Sequence, residues 1–352
     1  MAPVSPHAFS PMRPTLRFLL PLLLCLPVLA AADCGQAPAQ LQLRNDNDVY
    51  GRGDQDQGYT AGAMAAWVSP TLGEGDEACL PRLAAAFDRA TGWLRWGEGS
   101  QRNLVFDLHH AIYTPTDRYR SDLILDDRPY AGVLLLGLTH HVRDGDRLAS
   151  TRLQLGMVGP SARGETMQDA IHHLFGRPRF RGWDNQLRDE PIVQLTHERR
   201  WRLLRHEPDG GMGWDLTAHA GGAVGNAFTH ANGGAELRWG PHLPDDFGTD
   251  PLRPGGDNRA PGPARTPERR LRWHTFLAAD LRLVGRDITL DGNTWKDSHS
   301  IPRHDGVAEI SFGAAITWDR WKLAYANVRR TREFKGQSPR PIYGTFTLSR
   351  DF

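Results

Sequence analysis

Two stretches of this chain carry residue types suited to chemistry. The first, RNDNDVYGRGDQDQGYTAG from Arg44 to Gly62, crowds aspartates and side-chain amides beside glycines. Such oxygens suit a hard cation, because Ca²⁺ takes about six to eight of them from carboxylates, amide carbonyls and backbone. The spacing is not the EF-hand pattern, despite DNDVYG, and a solvated acidic turn shares the composition. The second, GPSARGETMQDAIHHLFG from Gly159 to Gly176, carries His172 and His173 inside a helical signal over Glu165–Phe175. Met167, Ile171 and Leu174 form one stripe there, with Gly164 before the helix and Gly176 after it. A neutral imidazole can take a proton from water near pH 7, although a histidine on such a stripe is most often a packed core residue.

These stretches need a scaffold, and the scaffold must be exported. Arg13 and Arg17 precede the apolar run FLLPLLLCLPVLA, and Ala30-Ala31-Ala32 offers a cleavage site, so 1–32 reads as a signal peptide and 33–352 as the mature domain. Cleavage removes Cys25 and leaves Cys34 and Cys79, a candidate disulfide in an oxidising compartment. A net charge of +1 from 42 basic and 41 acidic residues gives no field of one sign, which argues against nucleic acid. The 37 glycines and 11 tryptophans suit a β-rich protein with aromatic girdles.

Twelve segments alternate with period two, from QLQLRN through GVAEISFGAAITW to the terminal IYGTFTLSRDF. In the last, Ile342, Phe346, Leu348 and Phe352 share one face, opposite Thr345, Thr347, Ser349 and Asp351. No later run approaches the roughly 20 apolar residues of a spanning helix, so entry into a membrane requires a closed barrel. The expected fold is all-β: a 12-stranded antiparallel transmembrane barrel with a short helix in an outer loop, without repeats or a second domain.

With both termini in the periplasm, strand one runs up to Asn45. The outer loops are then Asp46–Gly58, Thr114–Tyr130 and Gly159–Glu190, so the polar motifs of the N-terminal half share one rim. The periplasmic side receives Val142–Arg147, the Trp318-Asp319-Arg320 turn and two long connections. One, Ser69–Arg102, contains an amphipathic helix in PRLAAAFDRATGWLRW. The other, Gly240–Arg270, is rich in Pro, Gly and Asp and reads as extended or mobile.

Asn45-Asp46, Tyr59-Thr60-Ala61-Gly62, Ile112-Tyr113-Thr114-Pro115 and Asp127-Arg128-Pro129-Tyr130 occur in that order. Gly159-Pro160 follows with Gln168, His172 and Gly176, then Gly182-Trp183 and Gln186. The ordered set resembles the lipid A 3′-O-deacylase (LpxR) family over nearly the whole mature chain. That resemblance implies a monomeric outer-membrane barrel acting on lipid A of lipopolysaccharide, with Ca²⁺ and a histidine-activated water, in the manner of phospholipase A2. Position by position it implies Asp46, Asn45 and Thr60 at the metal, with Asn45 and Thr60 also in the catalytic set, and His172 as general base. It places Arg120 and Arg118 on substrate phosphate, with Arg120 at the matching offset. The family's acidic residue beyond the histidine has no counterpart, since the stretch reads GRPRF.

Two other readings stay open on the residues alone. A serine phospholipase would draw on Ser161, the one candidate near the helix, although no activated Ser-His pair is evident. A non-catalytic barrel, pore or surface binder, would need no histidine.

Overall fold

The structure, a computed structural model, describes residues 37–51, 57–208, 210–249, 271–338 and 340–352. The signal segment and Cys34 lie outside the described residues, and Cys79 is disulfide-bonded. Twelve antiparallel strands close into one barrel, each paired with its neighbours in sequence and the last with the first. They are β1 Gln40–Asn47, β2 Gly58–Val68, β3 Gln101–Thr114, β4 Ala131–Asp144, β5 Arg147–Val158, β6 Glu190–His206, β7 Met212–Gly225, β8 Phe228–Pro241, β9 Arg272–Asp287, β10 Gly306–Trp318, β11 Trp321–Arg330 and β12 Ile342–Asp351. Three helices join them: α1 Arg82–Ala90, α2 Gly164–Leu174 and the single turn α3 Ile288–Asp291.

Period-two alternation decides which side each residue faces, and the burial is inverted relative to a water-soluble sandwich. Gln42, Asp107, Gln194, Asp215, Arg238 and Thr347 are buried in the lumen, while Leu136, Leu155, Val193, Leu277, Ile310 and Leu348 are exposed on the outside. An exposed apolar wall around a polar interior is the arrangement lipid demands, since every strand's backbone groups are paired around the closed ladder. Outward tryptophans gather near one end of the wall, at Trp201, Trp214, Trp239, Trp273, Trp318 and Trp321 on β6 to β11. Such a girdle marks a membrane interface.

Chain fills both ends of the lumen. At the α2 end, Arg128 reaches in from the β3–β4 loop and donates to Glu333 at 3.2 Å and to Thr289 at 2.6 Å. Burial pushes the Glu333 carboxyl up, but Arg330 and Arg128 outweigh it and hold it below the usual glutamate range. At the other end, residues 242–249 turn inward. Asp245 pairs with Arg143 and Arg202, each at 2.9 Å, and Asp246 pairs with the buried Arg238. Phe247, fully buried, lies under the guanidinium groups of Arg202 and Arg143, 5.0 and 5.5 Å from the ring centre. The described part of this connection is therefore a plug rather than the extended or mobile loop expected, and residues 250–270 lie outside the described residues.

Strand one corrects a second expectation. It continues past Asn45 to Asn47, so Asp46 and Asn47 sit within the wall and not in the outer loop. Both neighbours fix them there: Asp46 pairs with Gly62 on one side and Thr345 on the other.

Candidate active site

Helix α2 docks on the outer face of the barrel wall. Its first residue, Gly164, lies against Gly132 of β4 so closely that a Cβ on either would come within 2.8 Å of the other's backbone. Nearby, His110 Nε2 on the outer face of β3 bonds the Ala162 carbonyl at 2.8 Å. Met167 and Ile171 then pack onto Ala61 and Ile112 of the wall, together with Tyr130, Phe180 and Trp183. Leu174 departs from the expected apolar stripe. It is 77 % exposed, as Phe175 is at 64 %, so the helix end overhangs the wall with two large apolar groups free.

His172 is buried at 4 % exposure on this helix, while His173 is exposed. Its Nδ1 lies 2.5 Å from the Pro178 carbonyl, which can only accept, so Nδ1 carries the proton and Nε2 keeps its lone pair. Nε2 accepts from the side-chain amide nitrogen of Gln168 at 3.3 Å, and Gln168 Oε1 is buried with no donor to it. Phe180 packs against the imidazole with ring centres 5.5 Å apart. A water that displaces this amide meets one basic acceptor, Nε2. Spacing of four between Gln168 and His172 is the sequence signal for their shared helix face, but it gave no role to the glutamine.

The metal-ligand set expected from the resemblance divides across the wall. Asn45 faces outward, accepting from Tyr50 Oη at 3.0 Å and donating to the Gly62 carbonyl at 3.2 Å. Thr60 is the extra residue of a bulge, where Tyr59 pairs with Tyr113 and Ala61 with Ile112. Its hydroxyl meets that of Thr114 at 2.6 Å and the Gly58 carbonyl at 3.4 Å. Asp46, by contrast, faces the lumen and is fully buried. It accepts from Tyr59 Oη at 2.6 Å and from Thr345, and lies 3.3 Å from Arg44 Nε. Gly62 makes room for this contact, since a Cβ there would strike the Tyr59 hydroxyl. Consecutive strand residues point to opposite sides, so the Asp46 carboxylate does not join Asn45. Among the described residues no group of three or more His, Cys, Asp or Glu is placed to hold a metal ion. What the outer face does offer is hard neutral oxygen, from Asn45, Thr60 and the Gly58 carbonyl, of the kind Ca²⁺ accepts.

The two arginines also part. Arg120 forms a two-pronged pair with Asp122, exposed to solvent, and that bond holds the Asp122 carboxyl below the usual aspartate range. Arg118 lies over Phe180, 5.6 Å from the ring centre, on the aromatic group that packs against His172. Of the two, Arg118 is the one that reaches the surroundings of His172. Ser161 donates to Asp189 Oδ2 at 2.8 Å, so the hydroxyl is engaged by a carboxylate rather than by an imidazole.

A polar cavity of about 260 Å³ lies on the other side of the wall, within the lumen, lined in part by Arg44, Arg152, Arg282, Arg330, Glu198 and Glu333. Its charges suit water and ions rather than a fatty chain. His172, Asn45 and Thr60 are not among its lining residues.

A family model described as "Outer membrane protein LpxR" matches residues 18–352. Among solved structures, LpxR from Salmonella typhimurium superposes with a TM-score of 0.67 at 18% identity, covering 89% of this chain and 100% of that one. The β domain of the Bordetella autotransporter BrkA gives a TM-score of 0.41 at 12% identity, covering 90% and 100% of the two chains. The NalP translocator domain from Neisseria meningitidis gives 0.34 at 13%, covering 96% and 95%. These last two scores are too low to bear on function. No curated protein matches the chain.

Proposed function

Since the chain belongs to the LpxR family of outer membrane proteins, we propose that it is a lipid A deacylase that hydrolyses the 3′-linked acyl ester, with its active site at the extracellular rim. The observation that carries the reading is His172 itself: an imidazole oriented by the Pro178 carbonyl, its basic nitrogen accepting from the Gln168 amide, packed against Phe180 on the lipid-facing side of the wall. An ester on a membrane lipid reaches such a site sideways, without entering the lumen.

The protein's own groups suffice to order the proton transfers. Water that takes the place of the Gln168 amide at His172 Nε2 attacks the carbonyl carbon as Nε2 takes its proton. The C–O bond to the sugar then breaks and the imidazolium returns that proton to the departing oxygen, giving a free fatty acid and a sugar hydroxyl. The Pro178 carbonyl holds the ring in the required tautomer throughout. Asn45 and Thr60 would hold a calcium ion by neutral oxygens on the same outer face, and such an ion, when bound, stabilises negative charge on the ester carbonyl oxygen. Arg118 would meet a phosphate of the substrate.

The test is direct. Purified protein in detergent, given lipid A and Ca²⁺, releases one fatty acid, seen by mass spectrometry as the loss of one acyl chain. His172→Gln lowers the rate roughly 10²- to 10⁴-fold, the usual contribution of a general base, and chelation abolishes release. Lipid A of unchanged acyl count after incubation with wild-type protein would remove the proposal.

A further inference from the structure

The connection from β2 to β3 lies outside the barrel, at the end away from α2. Residues 80–97 cross the outer wall from β2 to β6: Ala84 and Ala85 pack with Trp67 and Leu104, Thr91 bonds His140 Nε2 of β4 at 2.8 Å, and Trp96 stands against His197 of β6 with ring centres 5.3 Å apart. Its underside is apolar except for Asp88, which is buried and paired with Arg95 at 2.6 Å and Arg102 at 3.6 Å. This strap is firmly held.

Its outward side is divided. On α1, Ala84, Ala85 and Asp88 are buried, which leaves two exposed edges. Arg82 and Arg89, seven residues apart, share one; Leu83 and Phe87, four apart, share the other. Phe87 meets Phe106 of β3 edge to face at 5.4 Å. Phe106 lies further along the wall than Leu104, toward the middle of the barrel, so the apolar edge faces the membrane interior and the arginine edge faces away from it. Leu83 is 66 % exposed and Trp93 61 %, with Phe87 and Trp96 also exposed. No polar group of the fold accounts for that exposure.

We propose that this strap is a membrane-docking surface whose partner is the phospholipid interface at the end of the barrel away from α2. Continuity carries the assignment. The girdle of outward tryptophans runs from β6 to β11, the strap reaches β6 at Trp96, and Trp93 with Trp96 continues the girdle along it. A helix with Leu and Phe on one edge and Arg on the other is built to lie in the plane where headgroups meet acyl chains, its apolar groups sunk about 5–10 Å. Tryptophan prefers the same depth. The strap is thereby an integral part of the interfacial belt, and it acts independently of the chemistry at His172.

Nitroxide labels at Leu83→Cys, Trp93→Cys and Arg89→Cys, in protein reconstituted into vesicles of phosphatidylethanolamine and phosphatidylglycerol, test this by power saturation. Labels at 83 and 93 are expected to be more accessible to oxygen than to a water-soluble nickel chelate, and the label at 89 the reverse. Folding is verified by heat-modifiable gel mobility. Should a label disturb the strap, tryptophan quenching by lipids brominated near the carbonyls gives a second reading, in which Trp93→Phe reduces the quenched fraction. Preferential nickel access at 83 and 93, or exclusion of both reagents by a second copy or a protein partner, overturns the proposal, as does unchanged quenching in Trp93→Phe.

Discussion

Asp46→Ala separates a lumenal strut from a metal ligand. In the structure the carboxylate is fully buried, accepts from Tyr59 and Thr345, and lies 3.3 Å from Arg44. Removing it leaves the Arg44 guanidinium without its carboxylate in a buried setting, a change that typically costs about 3–5 kcal/mol. Arg44 also lines the polar cavity, where water can reach it, so the lower end applies: about 3 kcal/mol, roughly two decades in the folded-to-unfolded ratio. Asp46→Asn keeps the volume and one acceptor for Tyr59 or Thr345, and about half that loss is expected. Urea titration of the folded fraction, read by heat-modifiable gel mobility, measures both. Assayed in parallel where each variant is folded, the Ca²⁺ concentration for half-maximal release should stay at the wild-type value. The reasoning fails if Asp46→Asn is as stable as wild type and needs tenfold more Ca²⁺, because the carboxylate would then be acting on the outer face.

Three further outcomes follow from the same geometry. Arg118→Ala should raise the KM for lipid A several-fold while Arg120→Ala leaves it unchanged, since Arg120 is occupied by Asp122; equal effects would show that the Phe180 contact is irrelevant. Leu136→Arg on the exposed wall should destabilise the barrel by about 2–4 kcal/mol in lipid vesicles, the cost of an arginine near the bilayer midplane, and a smaller effect there would place this wall in water. Replacing Asp245 and Asp246 together by alanine should release residues 242–249 from the lumen, seen as protease cleavage there at pH 7 that the wild-type segment resists. Burial raises the Asp245 carboxyl, but Arg143 and Arg202 outweigh it and hold it low, and Arg238 does the same for Asp246. Groups so depressed stabilise the plug above the ordinary aspartate pKa of about 4 and lose that effect as pH falls through their own lower values. Resistance should therefore persist at pH 5, and cleavage of the wild-type segment there would refute the pairing.

Most of the barrel could be read from alternation and turn residues. Gly306–Trp318 matches β10 end to end, and the connection that opens at Gly159 closes one residue before the expected Glu190, which already belongs to β6. Asp46-Asn47 misled, since this composition reads as a turn; its place in a strand depends on partners in β2 and β12, and the β12 partners are some 300 residues away in sequence. The same holds for Asp245 and Asp246. Two aspartates in a Pro-rich stretch look solvated until Arg143, Arg202 and Arg238, from three different strands, are brought to them. Helical spacing found the α2 face correctly for Met167 and Ile171 but missed at Leu174, because periodicity defines a stripe and says nothing of where the underlying wall ends. Residue offsets likewise carry no sign of the contact between Arg118 and the ring of Phe180.

A cylinder stoppered from both ends by its own chain has a bearing on the cell that carries it. Nutrients and toxins meet folded chain at both mouths and a small polar cavity between them. What looks like a channel in outline is built as a post, and its abundance is free to follow demand for what happens on its flank.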